Sequence, residues 1–328
     1  MDVMSRFELK CRRSPRRIVL PESEDPRIIE AASMVSERSL ALPILVGEEK
    51  DIRARAMDAS VDLSKAEIVN PQNREAMESF VDEYIAMRGR MRITRSIAKR
   101  LLSKNLLFAA MMVRMGQADG VVAGAANLTA SVIKAGKLLI GLREGMTEAS
   151  SFFIMVVPGF DPLIFADCAV NPNPEPELLA QIAVSSAASA RSLLSVEPRV
   201  AMLSFSTKGS ADHPDVRKVA RATEIVRKLD PNLCVDGELQ ADSAIVPEVA
   251  VRKKAEGILG GRANVLVFPD LDAGNIAYKL VKHLARAKAY GPFMQGFRKP
   301  INDLSRGCTA EEIAGAILVT SIQAGAGR

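Results

Sequence analysis

Short apolar runs alternate with helix-period segments almost from end to end of the chain, the pattern that builds sheets covered by helices. Residues 18–20 read as a buried strand. Asp25 is placed to cap a helix with Pro26 in its first turn, and Ile28, Ala31, Ala32 and Val35 then share one face. A strand at 42–46, stopped by Gly47, completes a β-α-β unit. Residues 48–93 are polar and weakly periodic, which predicts two helices with loops. A buried helix over 101–115, stopped by Gly116, leads to a short strand at 121–123. Residues 152–157 and 163–166 flank Pro158-Gly159-Phe160-Asp161-Pro162 and predict a β-hairpin, so one sheet is mixed. Four helix–strand units follow: helix 177–193 and strand 200–203, helix 214–229 and strand 233–235, helix 247–256 and strand 265–268, helix 273–286 and the segment 291–294. A last helix runs over 309–324.

The chain has 328 residues, which at ~150 per domain predicts two domains. The boundary falls near residue 147, where the unbroken α/β run begins; the tail after 294 fits either half. The net charge of +5 is matched by Lys10, Arg12, Arg13, Arg16 and Arg17 alone, leaving the rest balanced. With no Trp and only 3 Tyr, stacking surfaces are scarce as well, and a nucleic-acid partner is not expected. The basic stretch reads as a solvated lead-in to the first strand. No window of ~18 apolar residues offers a membrane span, and a soluble cytoplasmic protein is expected. Cys11, Cys168, Cys234 and Cys308 are widely spaced and accompanied by only two His, so neither a disulfide framework nor a structural zinc site is expected.

Several segments carry chemistry. Arg88, Arg90, Arg92, Arg95, Lys99, Arg100, Lys104 and Arg114 lie in a stretch without an acidic residue, a solvated helix face or a site for phosphate-bearing ligands. Gly124-Ala125-Ala126-Asn127-Leu128-Thr129-Ala130-Ser131 reads as a turn into a helix carrying Lys134. Its amides, hydroxyls and cation suit an oxyanion, though small residues also serve close packing. Ser204, Ser206, Thr207, Lys208, Gly209 and Ser210 follow a strand, where α/β proteins place ligands, but lack the spacing of a nucleotide P-loop. The acidic segments 236–242 and 270–275 supply oxygen ligands for Mg²⁺ or, more simply, helix caps, with Asp272 the cap expected for helix 273–286. The densest cluster is Asn302-Asp303-Leu304-Ser305-Arg306-Gly307-Cys308-Thr309-Ala310-Glu311-Glu312. Thr309 and Glu312 form a capping box there; Ser305-Arg306-Gly307 is left unexplained by it.

At this cluster the sequence resembles the phosphate acetyltransferase (phosphotransacetylase) family, and the likeness runs from about residue 17 to the end. Asp303-Leu304-Ser305-Arg306-Gly307-Cys308, Phe165-Ala166-Asp167-Cys168-Ala169-Val170-Asn171-Pro172, Leu203-Ser204-Phe205-Ser206-Thr207-Lys208-Gly209-Ser210, Asp236-Gly237-Glu238-Leu239-Gln240-Ala241-Asp242 and Phe268-Pro269-Asp270-Leu271-Asp272-Ala273-Gly274-Asn275 are similar to its motifs, in its order. The resemblance implies two three-layer α/β/α domains with mixed, mostly parallel sheets, of the isocitrate/isopropylmalate dehydrogenase type, with the active site in the interdomain cleft. The tail returns to the first domain on this reading, giving 1–146 plus 294–328 and 147–293. The implied reaction is reversible acetyl transfer between coenzyme A and phosphate by direct thiolate attack in a ternary complex. No metal or redox cofactor is implied, and a homodimer is.

Residue by residue, Ser305 resembles the serine that hydrogen-bonds the coenzyme A thiol, and Arg306 the arginine that holds phosphate or the acyl oxygen. Arg88 matches an arginine of anion or coenzyme binding. Glu312 stands where the family usually has the aspartate proposed as general base, and Lys134 where it usually has an arginine; each keeps charge but changes reach or donor geometry. Asn127-Leu128-Thr129 also departs from the usual turn. Thr129, Ser206, Thr207, Lys208 and Cys308 complete the expected coenzyme A and phosphate contacts. The alternatives are a phosphate butyryltransferase or other longer-acyl relative, a non-catalytic acyl-CoA sensor like the C-terminal region of some malic enzymes, and a metal-dependent decarboxylating dehydrogenase. The acetyl-branch character of 165–168 and 305–308, the trio Ser305, Arg306 and Glu312, and the lack of a nucleotide fingerprint weigh against these in turn.

Overall fold

Ile18, Val19 and Leu20 have no exposed surface, and a strand so enclosed needs cover on both faces. The computed structural model provides it. It describes residues 2–72, 74–89, 93–255 and 257–326 and divides into two compact units, Met1–Arg143 with Phe297–Arg328, and Glu144–Gly296.

Unit 1 begins with α1 (Val3–Arg13), β1 (Arg17–Leu20), α2 (Pro26–Glu37) and β2 (Leu42–Val46). Asp25 caps α2 by accepting from the Arg27 amide at 3.0 Å, and Ile28, Ala31, Ala32 and Val35 are buried. The expected solvated lead-in is instead α1: its basic residues line the end of a helix whose Val3, Phe7 and Cys11 are buried, with the Cys11 thiol on the Leu318 carbonyl at 3.4 Å. Next come α3 (Glu49–Asp58), β3 (Glu67–Val69), α4 (Arg74–Arg88), α5 (Arg95–Leu102), α6 (Asn105–Arg114), β4 (Gly120–Ala123) and α7 (Thr129–Ala135). Strand β3 is an addition to the sequence reading, three residues long. The single helix expected over 101–115 is broken: Ser103 turns its hydroxyl back onto the Lys99 carbonyl at 2.8 Å and ends α5.

Unit 2 contains β5 (Ser150–Val156), β6 (Leu163–Ala166), α8 (Pro176–Ser189), β7 (Arg199–Leu203), α9 (Pro214–Leu229), β8 (Cys234–Leu239), α10 (Ala241–Ile245), α11 (Pro247–Arg252), β9 (Val265–Val267), α12 (Leu271–Leu284) and β10 (Lys288–Gln295). The chain then returns to unit 1 with β11 (Ile301–Asp303) and α13 (Ala310–Ala326). Three expectations change here. The strand expected at 233–235 extends through Leu239, taking Asp236 and Glu238 into the sheet. The helix expected over 247–256 is shorter, ending at Arg252 as α11, and α10 precedes it as a separate turn of helix. Asp270, not Asp272, caps α12, accepting from the Ala273 amide at 2.8 Å, because the helix starts two residues earlier.

Unit 1 has the strand order β11-β4-β1-β2-β3, and every pairing in it is parallel. Unit 2 has the order β10-β5-β6-β9-β7-β8; β10–β5 and β5–β6 are antiparallel and the remainder parallel. Parallel neighbours put all of their carboxyl ends along one edge, where open α/β sheets hold their ligands.

Candidate active site

In unit 1 the segments leaving β1, β4 and β11 meet at that edge. Pro21-Glu22 leaves β1 and carries a fully buried carboxylate. Opposite, the turn after β4 points successive amides at it: Gly124 at 2.9 Å, Ala125 at 2.8 Å, Ala126 at 3.1 Å and Asn127 at 2.7 Å, with the Asn127 side-chain amide also at 2.7 Å. The turn read as a cradle for an oxyanion therefore does bind one, and it is Glu22 of the same chain. Gly124, at φ +119°, is held to glycine by crowding, since a Cβ there would lie 2.5 Å from the Leu304 nitrogen.

Strand β11 ends at Asp303, whose side chain faces the same turn. Its Oδ2 accepts the Thr129 hydroxyl at 2.6 Å, while Oδ1 is buried without a hydrogen-bond partner. Burial raises the Asp303 carboxyl to about 6 and neighbouring Glu22 adds to the rise, against the opposing pull of the Thr129 hydroxyl and the Leu304 amide. Thr129, expected as a ligand contact, thus spends its hydroxyl inside the chain.

Beyond Asp303, Ser305, Arg306 and Gly307 are exposed and Cys308 is buried. The Cys308 amide closes a turn on the Ser305 carbonyl at 3.0 Å. Arg27, on the first turn of α2, holds this turn from outside, donating to the Arg306 carbonyl at 2.9 Å and the Cys308 carbonyl at 2.7 Å. Asp25 orients Arg27 in return, and that contact keeps the Asp25 carboxyl below its ordinary range. Among the described residues the Arg306 guanidinium has no ion pair. Glu312 and Thr309 form the expected capping box: the Thr309 amide donates to Glu312 Oε2 at 3.0 Å and the Glu312 amide to the Thr309 hydroxyl at 3.3 Å. Burial raises the Cys308 thiol, with Arg27 opposing the rise and Glu312 adding to it.

Among the described residues the other unit 1 candidates make no hydrogen bond or ion pair to this turn. Lys134 is exposed on α7 and lines a surface hollow with Ala130, Ile133, Lys137 and Leu138. Arg88 ends α4, half-buried, with its guanidinium 5.4 Å from the Tyr84 ring centre. Arg95 and Lys99 pair with Glu78, and Arg114 with Glu83, so much of the basic block is neutralised locally. Arg90 and Arg92 lie outside the described residues.

In unit 2 the hydroxyl-rich loop after β7 is tied to β8. Ser206 donates to Glu238 at 3.2 Å and the Gly209 amide to the same oxygen at 2.6 Å. Thr207 donates to Gln240 at 3.2 Å. Lys208 pairs with Asp236, a buried carboxylate that Arg227 also approaches at 3.1 Å. The acidic segment here is thus no chelating loop: two of its carboxylates sit in a strand facing the chain's own donors, and Asp242 is paired with Lys253 at 2.8 Å. Asp167, after β6, collects the Ser151 hydroxyl, the amides of Ala169, Val170 and Asn171, and the Asn171 side chain. Burial drives the neighbouring Cys168 thiol far up. Among the described residues no group of three or more His, Cys, Asp or Glu is placed to hold a metal ion, and no helix is long and apolar enough to cross a membrane.

Sequence reasoning gave no role to Glu22, Arg27 or Asp303. The signal for Glu22 was present: an acid directly after a wholly apolar strand that ends in Pro has to find donors when the strand end is buried.

A parallel sheet edge with an exposed Ser-Arg turn is a place for a ligand, and likeness to known proteins gives the class. The model of the phosphate acetyl/butaryl transferase family matches residues 2–321. A phosphate acetyltransferase of Thermoanaerobacterium thermosaccharolyticum is 46% identical over 99% of this chain and 100% of its own length, and one of Bacillus subtilis is 42% identical over 98% and 99%. A solved phosphotransacetylase of Staphylococcus aureus superposes with a TM-score of 0.93 at 39% identity, covering 98% of both chains. The chain belongs to the phosphate acetyl/butaryl transferase family, and is an enzyme of that acyl-transferring class.

Proposed function

We propose that this protein transfers acetyl reversibly between coenzyme A and inorganic phosphate. The observation that carries the reading is identity above 40% over essentially whole chains to phosphate acetyltransferases; nothing in the site favours a longer acyl group. A thiol with a pKa near ~8.5 is only a few per cent ionised at neutral pH, so attack on acetyl phosphate needs a base beside it. Glu312 takes that role through Oε1, the oxygen its capping box leaves unused, and Ser305 hydrogen-bonds the thiol. Arg306 holds the phosphate and the acyl oxygen as charge builds on them. Arg88 and Lys134 receive the anionic parts of the coenzyme. The chemistry asks for cations and a base rather than a metal or redox cofactor.

The protein acts in the cytoplasm as a homodimer on this reading. A stripe on α12 supports the second copy: Ile276, Leu280 and Leu284 recur every four residues and are 56%, 52% and 80% exposed. The test is release of thiol from acetyl-CoA on addition of phosphate, with EDTA present and butyryl-CoA run in parallel. Faster turnover of butyryl-CoA, or loss of activity on chelation restored by Mg²⁺, would overturn the reading.

A further inference from the structure

We propose that Asp303, acting through Thr129, is a positioning residue for the Ser305–Arg306 turn, an inference that rests on the acetyltransferase reading above. The turn itself is exposed, and its internal bonds are two, the Cys308 amide to the Ser305 carbonyl at 3.0 Å and the Gly307 amide to the Ser305 hydroxyl at 3.4 Å. With so few bonds of its own, its geometry leans on what holds its two ends. Arg27 fixes the far end through two carbonyls. The near end is Asp303, paired in register with Ala123 of β4, with the next amide, Leu304, on the Ala123 carbonyl at 2.8 Å.

What distinguishes Asp303 is how poorly the fold provides for it. It is 5% exposed, one oxygen accepts from Thr129 at 2.6 Å, and the other makes no hydrogen bond, the nearby Leu304 amide donating to the Ala123 carbonyl instead. A buried acceptor left unmade is unfavourable, and more so on a carboxylate. The donors that could have served it, the amides of the turn after β4, are already committed to Glu22. A Cβ at residue 124 would come 2.4 Å from Oδ1, so the pocket is shaped around this oxygen without hydrogen-bonding it. Asparagine would offer Thr129 an acceptor oxygen in the same place and carry no charge. The charge is what a neutral side chain lacks: an ionised acceptor binds the Thr129 hydroxyl more strongly than a neutral one, locking the start of α7 to the end of β11, two residues before Ser305.

Among the described residues the charged group acting on Asp303 is Glu22, after β1; α7 and the turn after β4 present it with a hydroxyl and backbone. As pH falls through about 6 the carboxyl takes up a proton, and the lock weakens to a neutral hydrogen bond.

The experiment measures kcat and KM for acetyl phosphate and coenzyme A between about pH 5 and 8.5 in wild type, Asp303→Asn, Thr129→Val and Thr129→Ser, with thermal unfolding alongside. Asp303→Asn should lose roughly 10-fold or more in kcat at pH 8, with KM changed little, as misplacement of reacting groups does. The deficit should shrink as pH drops below about 6, where wild type becomes neutral too. Thr129→Val should fall between, and Thr129→Ser should recover, since it restores the hydroxyl. An Asp303→Asn enzyme within twofold of wild type at pH 8, or a deficit of the same size at every pH, would overturn the proposal. If Asp303→Asn fails to fold, equal turnover in Thr129→Val and wild type does so instead. Wild type that transfers no acetyl group sinks the parent reading, a separate result.

Discussion

Asp167 and Asp303 are both buried aspartates at the carboxyl end of a sheet strand, yet the chain treats them oppositely. Asp167 receives a hydroxyl, three backbone amides and a side-chain amide. Asp303 receives the Thr129 hydroxyl and keeps an oxygen unused. Asp167 is saturated and organises its loop as a fixed part of unit 2, with Asn275 on the adjacent Cys168 carbonyl at 3.0 Å. Where a carboxylate is left short of donors beside an exposed Ser-Arg turn, stability has been given up locally, and such places are where function is found.

The comparison can be broken most directly at Asp167. Asp167→Ala strands all of its donors and should lower stability by about 4 kcal/mol or more in urea unfolding; a variant as stable as wild type would mean that saturation is not what makes this residue structural. At Asp303 the sign reverses. Its folded carboxyl ionises at about 6 against an ordinary 3.8, so its contribution to stability is complete below 3.8 and is lost as pH rises through 6. Asp303→Asn should therefore stabilise by about 2–3 kcal/mol at pH 8 and by nothing near pH 3.5. Urea midpoints that show no such trend would put Asp303 with Asp167.

Smaller effects sharpen the functional side. Glu312→Gln should cut turnover ~10²-fold with KM nearly constant if the carboxylate takes the thiol proton. Gln completes the capping box as well as Glu does, so unchanged turnover leaves Glu312 a purely structural cap. Arg306→Lys keeps charge but not the planar fork, and a loss of roughly 10-fold with raised phosphate KM is expected while the melting temperature holds. Cys168→Ser and Cys308→Ala should change turnover least. Burial raises both thiols, and no acetyl thioester should be trapped on either; a labelled one would assign a covalent route instead.

Much of the fold was legible because it is locally encoded. The strand at 18–20, the Asp25 cap, the hairpin around Pro158 and the helix over 214–229 each announce themselves within a dozen residues. Helix α1 was hidden because Val3, Phe7 and Cys11 recur every four residues among charges that dominate the average. The break at Ser103 depends on one hydroxyl turning back. The site was legible in part: the capping box of Thr309 and Glu312 is local, and the Ser305–Arg306 segment stood out by resemblance. Glu22 with the turn after β4, and Thr129 with Asp303, join positions more than a hundred residues apart, and no periodicity reports that.

Arg27 and the carbonyls of Arg306 and Cys308 are separated by about 280 positions along the chain, which has a consequence for synthesis on the ribosome. All strands of unit 2 lie within Glu144–Gly296, so the nascent chain can complete that sheet while unit 1, though begun first, still lacks its edge strand β11 and the helix α13. A chain ending before residue 297 leaves Arg27 with Asp25 alone to hold and β4 with an open edge. The Ser-Arg turn therefore takes its shape only after the residues of unit 2 have been made, held by an arginine made long before it.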